Sequence, residues 1–489
     1  MILLSGVHRW LFRSVLPFLI TLALTSCTSN KNISFAKQGA NGSILIQNIN
    51  IVDVENNRIL KKQDVLITKG IISQISAHRK HKVVAATIIN GAGKYLIPGL
   101  WDMHVHIADS SYLKLFVVNG VLGIRDMGGA DAGANNGCES ITHERLMAWR
   151  KLIQSGLLIG PRMLISGPVV SNTGWPTSIN IGTPEDARMA VKKLKEFGVD
   201  FIKVYERIPI DAYRTLAMEA KALGLPIAGH VPVETVSLLE AAEAGQRSIE
   251  HIRDPLLMCF TNNREELLEF FKNDNWSTSD VEWGLNRFGE CAKTIEALKR
   301  NNTWLVPTLT VERAKIAVYE QQFVNDPIRT MLPKSVQQGF LEYVSKKLSL
   351  SSQKKKSDSL WWVSQMGLVR RMHGEGIGFL AGTDAACEGG LPGYSLHDEL
   401  RLFVQAGLTP TEALKTATIN PAKYLELTDS LGTIAKGKRA DVVILNGNPL
   451  QDISNTKNIH AVISNGRIYH SKDLEALKAE VTKMNANYK

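Results

Sequence analysis

The residues most able to do chemistry begin with two histidines, His104 and His106, in the segment Trp101–His106. In a β-strand the side chains alternate between two faces, so residues two positions apart point to the same side. Two imidazoles at that spacing could bind one metal ion. A single pair of this kind is more often chance or core packing, so the interpretation depends on what else lies at the ends of predicted strands.

Four further polar residues stand at the ends of short runs that we predict to be strands, namely Lys203, His230, His251 and Asp384. In a parallel β-barrel the carboxyl ends of the strands converge on one face, where the catalytic residues of such proteins lie. If these runs are barrel strands, the four side chains meet the histidine pair at that face. The sequence therefore predicts one site built from all of them.

Lys203 is the least ordinary member of this set, because burial among apolar residues disfavours the charged form of a lysine. A neutral amine there could react with carbon dioxide to give a carbamate, which is anionic and has two oxygens for two metal ions. The alternative is a lysine that lies exposed at a strand end and binds nothing. The residue by itself leaves both interpretations open.

The middle of the chain alternates short apolar runs with helical patterns such as Pro184–Phe197 and Asp211–Leu223. This alternation is typical of repeated βα units and a parallel sheet. The predicted strands end near His106, Asp126, Ser166, Tyr205, His230, His251, Thr308 and Asp384. They favour an α/β fold, a (β/α)8 TIM barrel over residues 98–430, with a helical insertion over about 254–375 that forms a cap or lid.

Both ends of the remaining chain are rich in short strand patterns. Alternating apolar residues recur at Ile44–Asn48 and Val65–Thr68 near the start, and at Asp441–Leu445 near the end. We predict that residues 43–97 and 431–475 together build one small β-sandwich domain.

The first residues have the character of an export signal. Two arginines precede an apolar run of about ten residues, Val15–Leu24, which is too short to span a bilayer. The run ends in Leu24-Thr25-Ser26-Cys27, which resembles the lipobox of bacterial lipoproteins, where the cysteine is acylated. We predict a signal peptide over 1–26, lipidation of Cys27 and a tether over 27–42. The alternative is an ordinary secretory signal.

A lipid anchor on Cys27 would attach the protein to a membrane without a spanning helix. We therefore expect an exported protein of the bacterial cell envelope, lipid-anchored and facing the periplasm or the exterior. The sequence does not distinguish the inner membrane from the outer one.

Composition excludes several other classes of protein. Of 489 residues, 44% are hydrophobic and 21% charged, the proportions of a globular protein rather than a disordered or collagenous chain. The net charge is +10, but the basic residues are spread along the chain. Their one tight run, Lys354–Lys356, lies in the polar stretch Ser349–Ser359, which we interpret as a solvated loop. We expect no nucleic-acid partner.

The five cysteines are too few for a disulfide-rich scaffold. Export permits disulfides among Cys138, Cys259, Cys291 and Cys387, and these four allow three complete pairings. The sequence does not select among them.

With these residues in place, the chain resembles the amidohydrolase superfamily. The matching residues are His104, His106, Lys203, His230, His251 and Asp384, in that family's order. Lys94–Gly99 resembles the family's approach to the first barrel strand, and Gly437–Asp441 resembles its exit into the sheet domain. Gly123–Gly128 and Ser248–His251 are similar to the imidazolonepropionase and Xaa-Pro dipeptidase-like group.

The resemblance implies a metal site with two ions. The buried ion would be held by His104, His106 and Asp384, and the second ion by His230 and His251. The two ions would be bridged by carbamylated Lys203. True imidazolonepropionases use one metal and are not expected to have the bridging lysine, so Lys203 favours the binuclear site. Zinc fits these nitrogen and oxygen ligands best, although manganese or cobalt could replace it.

The chemistry implied by this resemblance is hydrolysis. The two ions would share a water molecule and lower its pKa toward neutrality. Asp384 would accept the proton of that water and pass it to the leaving nitrogen, first as general base and then as general acid.

Two further residues are candidate substrate contacts. Tyr205 lies two positions after Lys203 and so faces the same side, where it could bind a substrate oxygen or simply pack within the barrel. Arg125, on the second predicted strand, could pair with a substrate carboxylate. An ion pair between Arg125 and a neighbouring Asp or Glu is the better interpretation.

Together these features predict an exported, metal-dependent amidohydrolase that cleaves a carbon–nitrogen bond in an amide, a cyclic amide or a dipeptide-like substrate. A lactone or phosphate-ester hydrolase could use the same metal site, because loops and the insertion build the substrate pocket. A non-catalytic ligand-binding lipoprotein would be expected to lack some of the ligands, and all six are present. The expected partner is a small molecule or short peptide, and a homo-oligomer is left open.

Overall fold

The computed structural model describes residues 42–79, 85–128, 141–175, 177–253, 255, 265 and 291–487. The predicted signal peptide, Cys27 and the predicted tether up to residue 41 lie outside the described residues. So do residues 256–264 and 266–290 of the predicted insertion.

Strands at the two ends of the described chain belong to one sheet, and strands of the middle belong to two others. In chain order the strands are Ser43–Asp53 (β1), Arg58–Thr68 (β2), Ile71–Ala77 (β3), Thr87–Asn90 (β4), Tyr95–Pro98 (β5), Leu100–Val105 (β6), Val121–Asp126 (β7), Arg162–Ile165 (β8), Val170–Ser171 (β9), Ile179–Asn180 (β10), Ile202–Val204 (β11), Ile227–Gly229 (β12), Ser248–Glu250 (β13), Trp304–Val306 (β14), Val442–Leu445 (β15), Ile459–Ser464 (β16) and Arg467–His470 (β17).

The terminal strands form an eight-stranded mixed sheet in the order β17-β16-β15-β5-β1-β2-β3, with β4 beside β1. β5 pairs parallel with β1 and antiparallel with β15, so it joins the strands of the two chain ends. Ile46, Val65 and Ile444 belong to the buried apolar cluster of this sheet. The arrangement of the sheet as a two-layered sandwich, and the predicted domain boundaries, stay predictions.

The middle strands are parallel wherever they pair. β6, β7 and β8 form one sheet, and the order in the other is β10-β9-β11-β12-β13-β14. Helices separate most successive strands, as a parallel sheet requires. The result is a TIM-barrel-like α/β fold, in agreement with the sequence prediction.

One of the described α-helices shows the usual signals at both of its ends. In the helix Pro184–Phe197, Thr183 and Asp186 form a reciprocal capping box, and Gly198 ends the helix with φ +70°. The helices are Ser111–Val118, His143–Gln154, Pro184–Phe197, Ile210–Ala222, Leu238–Glu243, Ala292–Arg300, Leu309–Ala317, Gln321–Val324, Lys334–Leu348, Ser352–Gly374, Tyr394–Gln405, Pro410–Thr416, Ile419–Tyr424 and Ser471–Asn487.

The segment before Asp384 differs from the regular strand that the sequence predicts. It makes one isolated parallel bridge, between Phe379 and Leu305, and a second bridge joins Ala385, just after Asp384, to Val105. The amides of Thr383 and Asp384 both donate to the carbonyl oxygen of His104, at 3.1 and 2.7 Å. Two consecutive amides on one acceptor break the alternation that a regular ladder needs, so the segment lies beside β6 without forming a full strand.

The prediction of a solvated loop around Lys354–Lys356 is wrong. These lysines lie in the helix Ser352–Gly374, which begins where the Ser351 side chain accepts a hydrogen bond from the amide of Lys354. Asp358 pairs with Lys347 and Lys354 at 3.0 and 3.1 Å. Polar composition suggested a loop, whereas a cap and ion pairs stabilise a helix with a polar face.

The cysteines do not form two disulfides among themselves as a complete pairing requires. Cys387 is a buried thiol outside any disulfide, and Cys291 is disulfide-bonded. Cys138 and Cys259 lie outside the described residues. Among the helices of the described residues, none is both long enough and apolar enough to cross a bilayer.

Candidate metal centre

Three of the predicted ligands meet at the carboxyl end of β6. The Nε2 atom of His104 is 3.3 Å from Oδ1 of Asp384, and Nε2 of His106 is 3.1 Å from the same oxygen. One ligand atom from each residue lies within 4.8 Å of the other two. His104 is fully buried and Asp384 is buried as well. This cluster is a candidate metal site.

The ring nitrogen of His104 that carries the proton determines whether its Nε2 atom can bind a metal ion. The Nδ1 atom lies 2.8 Å from Oε2 of Glu250. Burial acts to raise the pKa of the Glu250 carboxyl, but Arg125, His104 and Lys203 outweigh it and lower the pKa to about 2. Glu250 is therefore an anion that only accepts, so His104 donates through Nδ1 and a neutral ring has a lone pair at Nε2.

That lone pair faces a carboxylate oxygen. Burial acts to raise the pKa of Asp384, but His104, His106 and His251 hold it well below its usual range. Nε2 of His104 and Oδ1 of Asp384 are both buried without a hydrogen-bond partner in the described structure. Two electron-rich atoms facing each other are costly unless a cation lies between them. The donor set therefore fits a divalent metal ion.

His230 and His251 follow β12 and β13 and lie beside this cluster. Their ring centroids are 4.7 Å apart, and the His251 ring is 4.8 Å from that of His104. Burial lowers the pKa of both imidazoles well below the usual value. Both rings are therefore neutral near pH 7 and retain a lone pair for a metal ion.

A threonine orients the His251 ring. Thr308 Oγ1 donates to the carbonyl of Pro307 at 2.8 Å, so it acts as acceptor for His251 Nδ1, also at 2.8 Å. This hydrogen bond leaves Nε2 of His251 as the ligand atom. Nδ1 of His230 is buried without a hydrogen-bond partner, and the carboxylate of Glu206 is 3.8 Å away.

Two of the candidate ligands adopt a backbone conformation that side chains disfavour. Asp384 has φ +56° and His251 has φ +62°. Such left-handed positions in non-glycine residues recur at functional sites, where surrounding bonds hold them. Here the amide of His251 donates to Val306 at 2.8 Å, and the amide of Asp384 donates to His104 at 2.7 Å. Hydrogen bonds to the neighbouring strands β14 and β6 thus hold the left-handed backbone of these two residues.

Lys203 lies on β11, in register with Ala228 of β12, and is 1% exposed. Burial lowers the pKa of its amine to about 8, although Glu250 and Asp384 act in the opposite direction. A Cβ atom added at Gly229 would be 2.1 Å from the Val204 carbonyl oxygen and 3.0 Å from Lys203 Cδ. Glycine is therefore required beside Lys203. Carbamylation and bridging stay predictions.

The two predicted substrate contacts have different surroundings. The Tyr205 ring lies 4.2 Å from the His230 ring and 4.7 Å from Trp175, so it borders the histidine cluster. Arg125 is fully buried beneath the cluster, and its Nη2 atom donates to Glu250 at 2.7 Å. The ion pair that the sequence offered as the better interpretation of Arg125 is thus present.

Glu250 is a member of the candidate site that sequence reasoning missed. Its two oxygens accept from Arg125 and His104, and Ser248 donates to it at 2.6 Å. The signal was present in the alternation of Ser248 and Glu250 on one strand face, just before His251. What the pattern did not reveal was the partner, because His104 is 146 positions away.

A second missed acid, Asp102, supports the segment that carries Asp384. It accepts hydrogen bonds from the Thr383 amide at 3.0 Å and from the Thr383 hydroxyl at 2.6 Å. Burial raises the pKa of Asp102 to about 7, although Thr383 and His104 act to lower it. Asp102 thus ties β6 to the segment next to the metal cluster.

A protein-family model described as "Amidohydrolase family" matches residues 95–469 of the chain. A stretch of 69 residues is 51% identical to dihydroorotase of Carboxydothermus hydrogenoformans, and it covers 14% of this chain and 15% of that protein. The chain thus matches only a small part of the length of this curated relative.

Two solved structures are similar along most of the chain. Bottromycin amidohydrolase has a TM-score of 0.71 at 21% identity, over 91% of this chain and 90% of that one. A Xaa-Pro dipeptidase with bound methionine in its active site has a TM-score of 0.60 at 19% identity, over 88% and 100%. At these identities the likeness shows a shared fold.

Proposed function

This chain belongs to the amidohydrolase family, and we propose that it is a metal-dependent hydrolase that cleaves a carbon–nitrogen bond. The observation that carries the proposal is the cluster of His104, His106 and Asp384, whose ligand atoms converge within 4.8 Å, with His104 and Asp384 buried and His106 half-buried. We propose an amide, cyclic amide or dipeptide-like substrate. The Xaa-Pro dipeptidase among similar structures supports the dipeptide-like class.

We propose two divalent ions, with zinc the best fit to imidazole and carboxylate ligands. His104, His106 and Asp384 would hold one ion, and His230 and His251 would hold the other, with carbamylated Lys203 between them. When bound, such ions supply Lewis acidity toward a carbonyl group and make water more acidic.

The side chains of the chain have separate tasks in this proposal. Asp384 accepts a proton at its carboxylate and returns it to the leaving nitrogen. Glu250 holds the proton of His104 on Nδ1, which keeps Nε2 available. Tyr205, beside His230, binds a substrate oxygen. Burial of the cluster excludes bulk water and strengthens each electrostatic interaction.

We also propose that the middle strands close into an eight-stranded barrel. Backbone hydrogen bonds support this closure, because Leu305 donates to Gly378 at 2.9 Å and Met103 donates to Ala381 at 2.8 Å. The amide of Asp200, just before β11, donates to Ile165 of β8 at 2.9 Å. The first two bonds join the segment before Asp384 to β14 and to β6, and the third joins β8 to the chain just before β11. These are the positions at which the two parallel sheets end.

The activity can be tested with purified protein loaded with zinc. We expect turnover of some members of a dipeptide and N-acyl amino acid library, about two ions per chain, and loss of activity on chelation that zinc reverses. Lactone and phosphotriester libraries serve as comparison. Preferential turnover of those esters would favour the other hydrolase class, and an active protein without bound metal would overturn the mechanism.

Lys203 gives a sharper test of the bridge. Lys203→Ala should lower activity by about a hundredfold or more, because the anionic bridge is lost, and added formate or acetate should restore part of it. Lys203→Arg should be equally inactive, since guanidinium stays protonated and forms no carbamate. Reconstitution of metal-free wild type should depend on dissolved carbon dioxide.

The control for Lys203 is Lys195→Arg, a substitution of an exposed lysine that donates to the Leu223 carbonyl. It should leave activity and metal content unchanged. Wild-type activity in Lys203→Arg would contradict the carbamate bridge.

We propose that the protein is exported and anchored to a membrane through acylated Cys27. Cys27→Ser should move the protein from the membrane fraction to the soluble fraction, or block its processing, while purified protein keeps its specific activity. Fractionation and mass spectrometry of the mature N-terminus measure both results. Equal membrane partition of the variant and wild type would leave only an ordinary signal peptide.

A further inference from the structure

A buried carboxylate outside the metal cluster, Glu399, has no role in the mechanism above. It lies on the helix Tyr394–Gln405 and is fully buried. Its Oε1 atom accepts a hydrogen bond from the amide of Leu309 at 2.9 Å, and Oε2 accepts one from the amide of Thr310 at 2.8 Å. Both oxygens of one side chain thus hold consecutive amides of another segment.

The segment that Glu399 holds is a turn, Pro307–Thr310, at the start of the helix Leu309–Ala317. The first amides of a helix have no partner within the helix. Thr308 stands at the position that usually caps them, but its side chain makes no capping bond. Glu399 therefore supplies, from a distant helix, the acceptors that this helix start lacks.

The same turn contacts both halves of the candidate metal centre. On one side, Thr308 Oγ1 accepts from His251 Nδ1 at 2.8 Å. On the other side, Thr310 Oγ1 donates to the carbonyl of Thr383 at 3.2 Å, directly before Asp384. A shift of the turn would therefore move a ligand of each proposed metal ion.

The turn needs external support, because Thr308 has φ +50°. A β-branched residue in the left-handed region is strained, and such a conformation persists only when surrounding bonds determine it. The two hydrogen bonds to Glu399 act directly on the residues that follow Thr308. They are the described contacts best placed to keep its hydroxyl within hydrogen-bond distance of His251 Nδ1.

We propose that Glu399 is a positioning residue that orients His251 and Asp384 through the turn Pro307–Thr310. The inference rests on the proposed function only in assigning metal ions to those two side chains. It assigns a task to a fully buried acidic side chain. Burial raises the pKa of the Glu399 carboxyl to about 8, while the amides of Leu309 and Thr310 act to lower it.

The decisive variant is Glu399→Gln, which keeps the shape and one acceptor oxygen but presents an amide N–H₂ to one of the two backbone amides. Hydrogen–deuterium exchange of metal-free protein should show loss of protection in peptides that cover residues 307–312. Zinc competition with a chelator should show about a tenfold weaker affinity. The kcat value should fall more than KM rises, because ligand geometry is altered more than substrate binding.

The matched control is Glu412→Gln. Glu412 also accepts from an amide at a helix start, that of Thr409 at 2.8 Å, but it is partly exposed and caps the separate helix Pro410–Thr416. The control should lose protection only around its own helix and keep wild-type zinc affinity. Glu399→Asp, which keeps a carboxyl group on a shorter side chain, should fall between Glu399→Gln and wild type.

Unchanged exchange at residues 307–312 in Glu399→Gln would overturn the inference, and so would a zinc affinity equal to that of Glu412→Gln. If Glu399→Gln fails to fold, the partial Glu399→Asp variant decides by the same two measurements. Exchange in metal-free protein requires neither catalysis nor substrate. A failure of the proposed hydrolase activity would therefore show itself separately, in wild-type protein.

Discussion

Replacing Asp384 with asparagine is expected to lower kcat/KM by about a thousandfold and to weaken the binding of one metal ion per chain. In the proposed mechanism the carboxylate of Asp384 has two tasks, as a ligand beside His104 and His106 and as the group that moves a proton. Asparagine is neutral, so it binds a cation less strongly and cannot accept a proton at neutral pH. Steady-state kinetics and elemental analysis measure the two effects.

A suitable control for Asp384→Asn is Asp452→Asn. Asp452 accepts from the amide of Ser454 at 2.9 Å at the start of a short 3₁₀ helix in the C-terminal segment. Its replacement should leave kinetics and metal content unchanged. Full metal content together with wild-type kcat in Asp384→Asn would refute the assignment of both tasks.

Replacing Arg125 with methionine is expected to lower the free energy of unfolding by about 3–5 kcal/mol. Arg125 and Glu250 are both fully buried, and their ion pair is 2.7 Å long. Removing the guanidinium leaves a carboxylate without its main counter-charge, and burial then raises the pKa of Glu250 from about 2. A protonated Glu250 no longer holds the proton of His104 on Nδ1, so metal affinity should fall as well.

The double variant Arg125→Met/Glu250→Gln tests whether the loss of stability comes from the unpaired charge of Glu250. It removes both charges, so much of the lost stability should return. Urea unfolding of metal-free protein measures the free energies. Arg162→Met is the comparison, since Arg162 pairs with Asp441 at 2.9 Å but is 30% exposed, and about 1 kcal/mol or less is expected. Equal losses in Arg125→Met and Arg162→Met would contradict this account of the buried pair.

Local patterns along the chain were enough to predict which residues stand at strand ends. The period of two along a strand placed His104 and His106 on one side, and apolar runs before Lys203 and His230 marked further strand ends. These are local properties, because alternation and burial of a short run depend on neighbours within a few positions. The segments β6, β11 and β12 end where these patterns predict, within a residue or two.

The backbone conformation of the segment before Asp384 could not be predicted from the local sequence pattern alone. Its apolar run predicted a strand, and the chain does lie beside β6 and β14, but two consecutive amides share the carbonyl of His104. That arrangement depends on how closely the two segments approach. Gly382 permits the approach, since a Cβ atom there would be 2.7 Å from Cβ of His104. The left-handed backbone of Asp384 follows from this packing.

The polar groups that support the candidate ligands could be identified only from the tertiary structure. Glu250 lies 146 positions from His104, and Glu399 lies 90 positions from Leu309, so no pattern along the chain relates them. A carboxylate can be buried only where donors or a cation meet it, and those partners come from other elements of the fold. Residue types thus determined which ligands were available, whereas the fold determined their protonation and orientation, because hydrogen bonds form between atoms that are close in space.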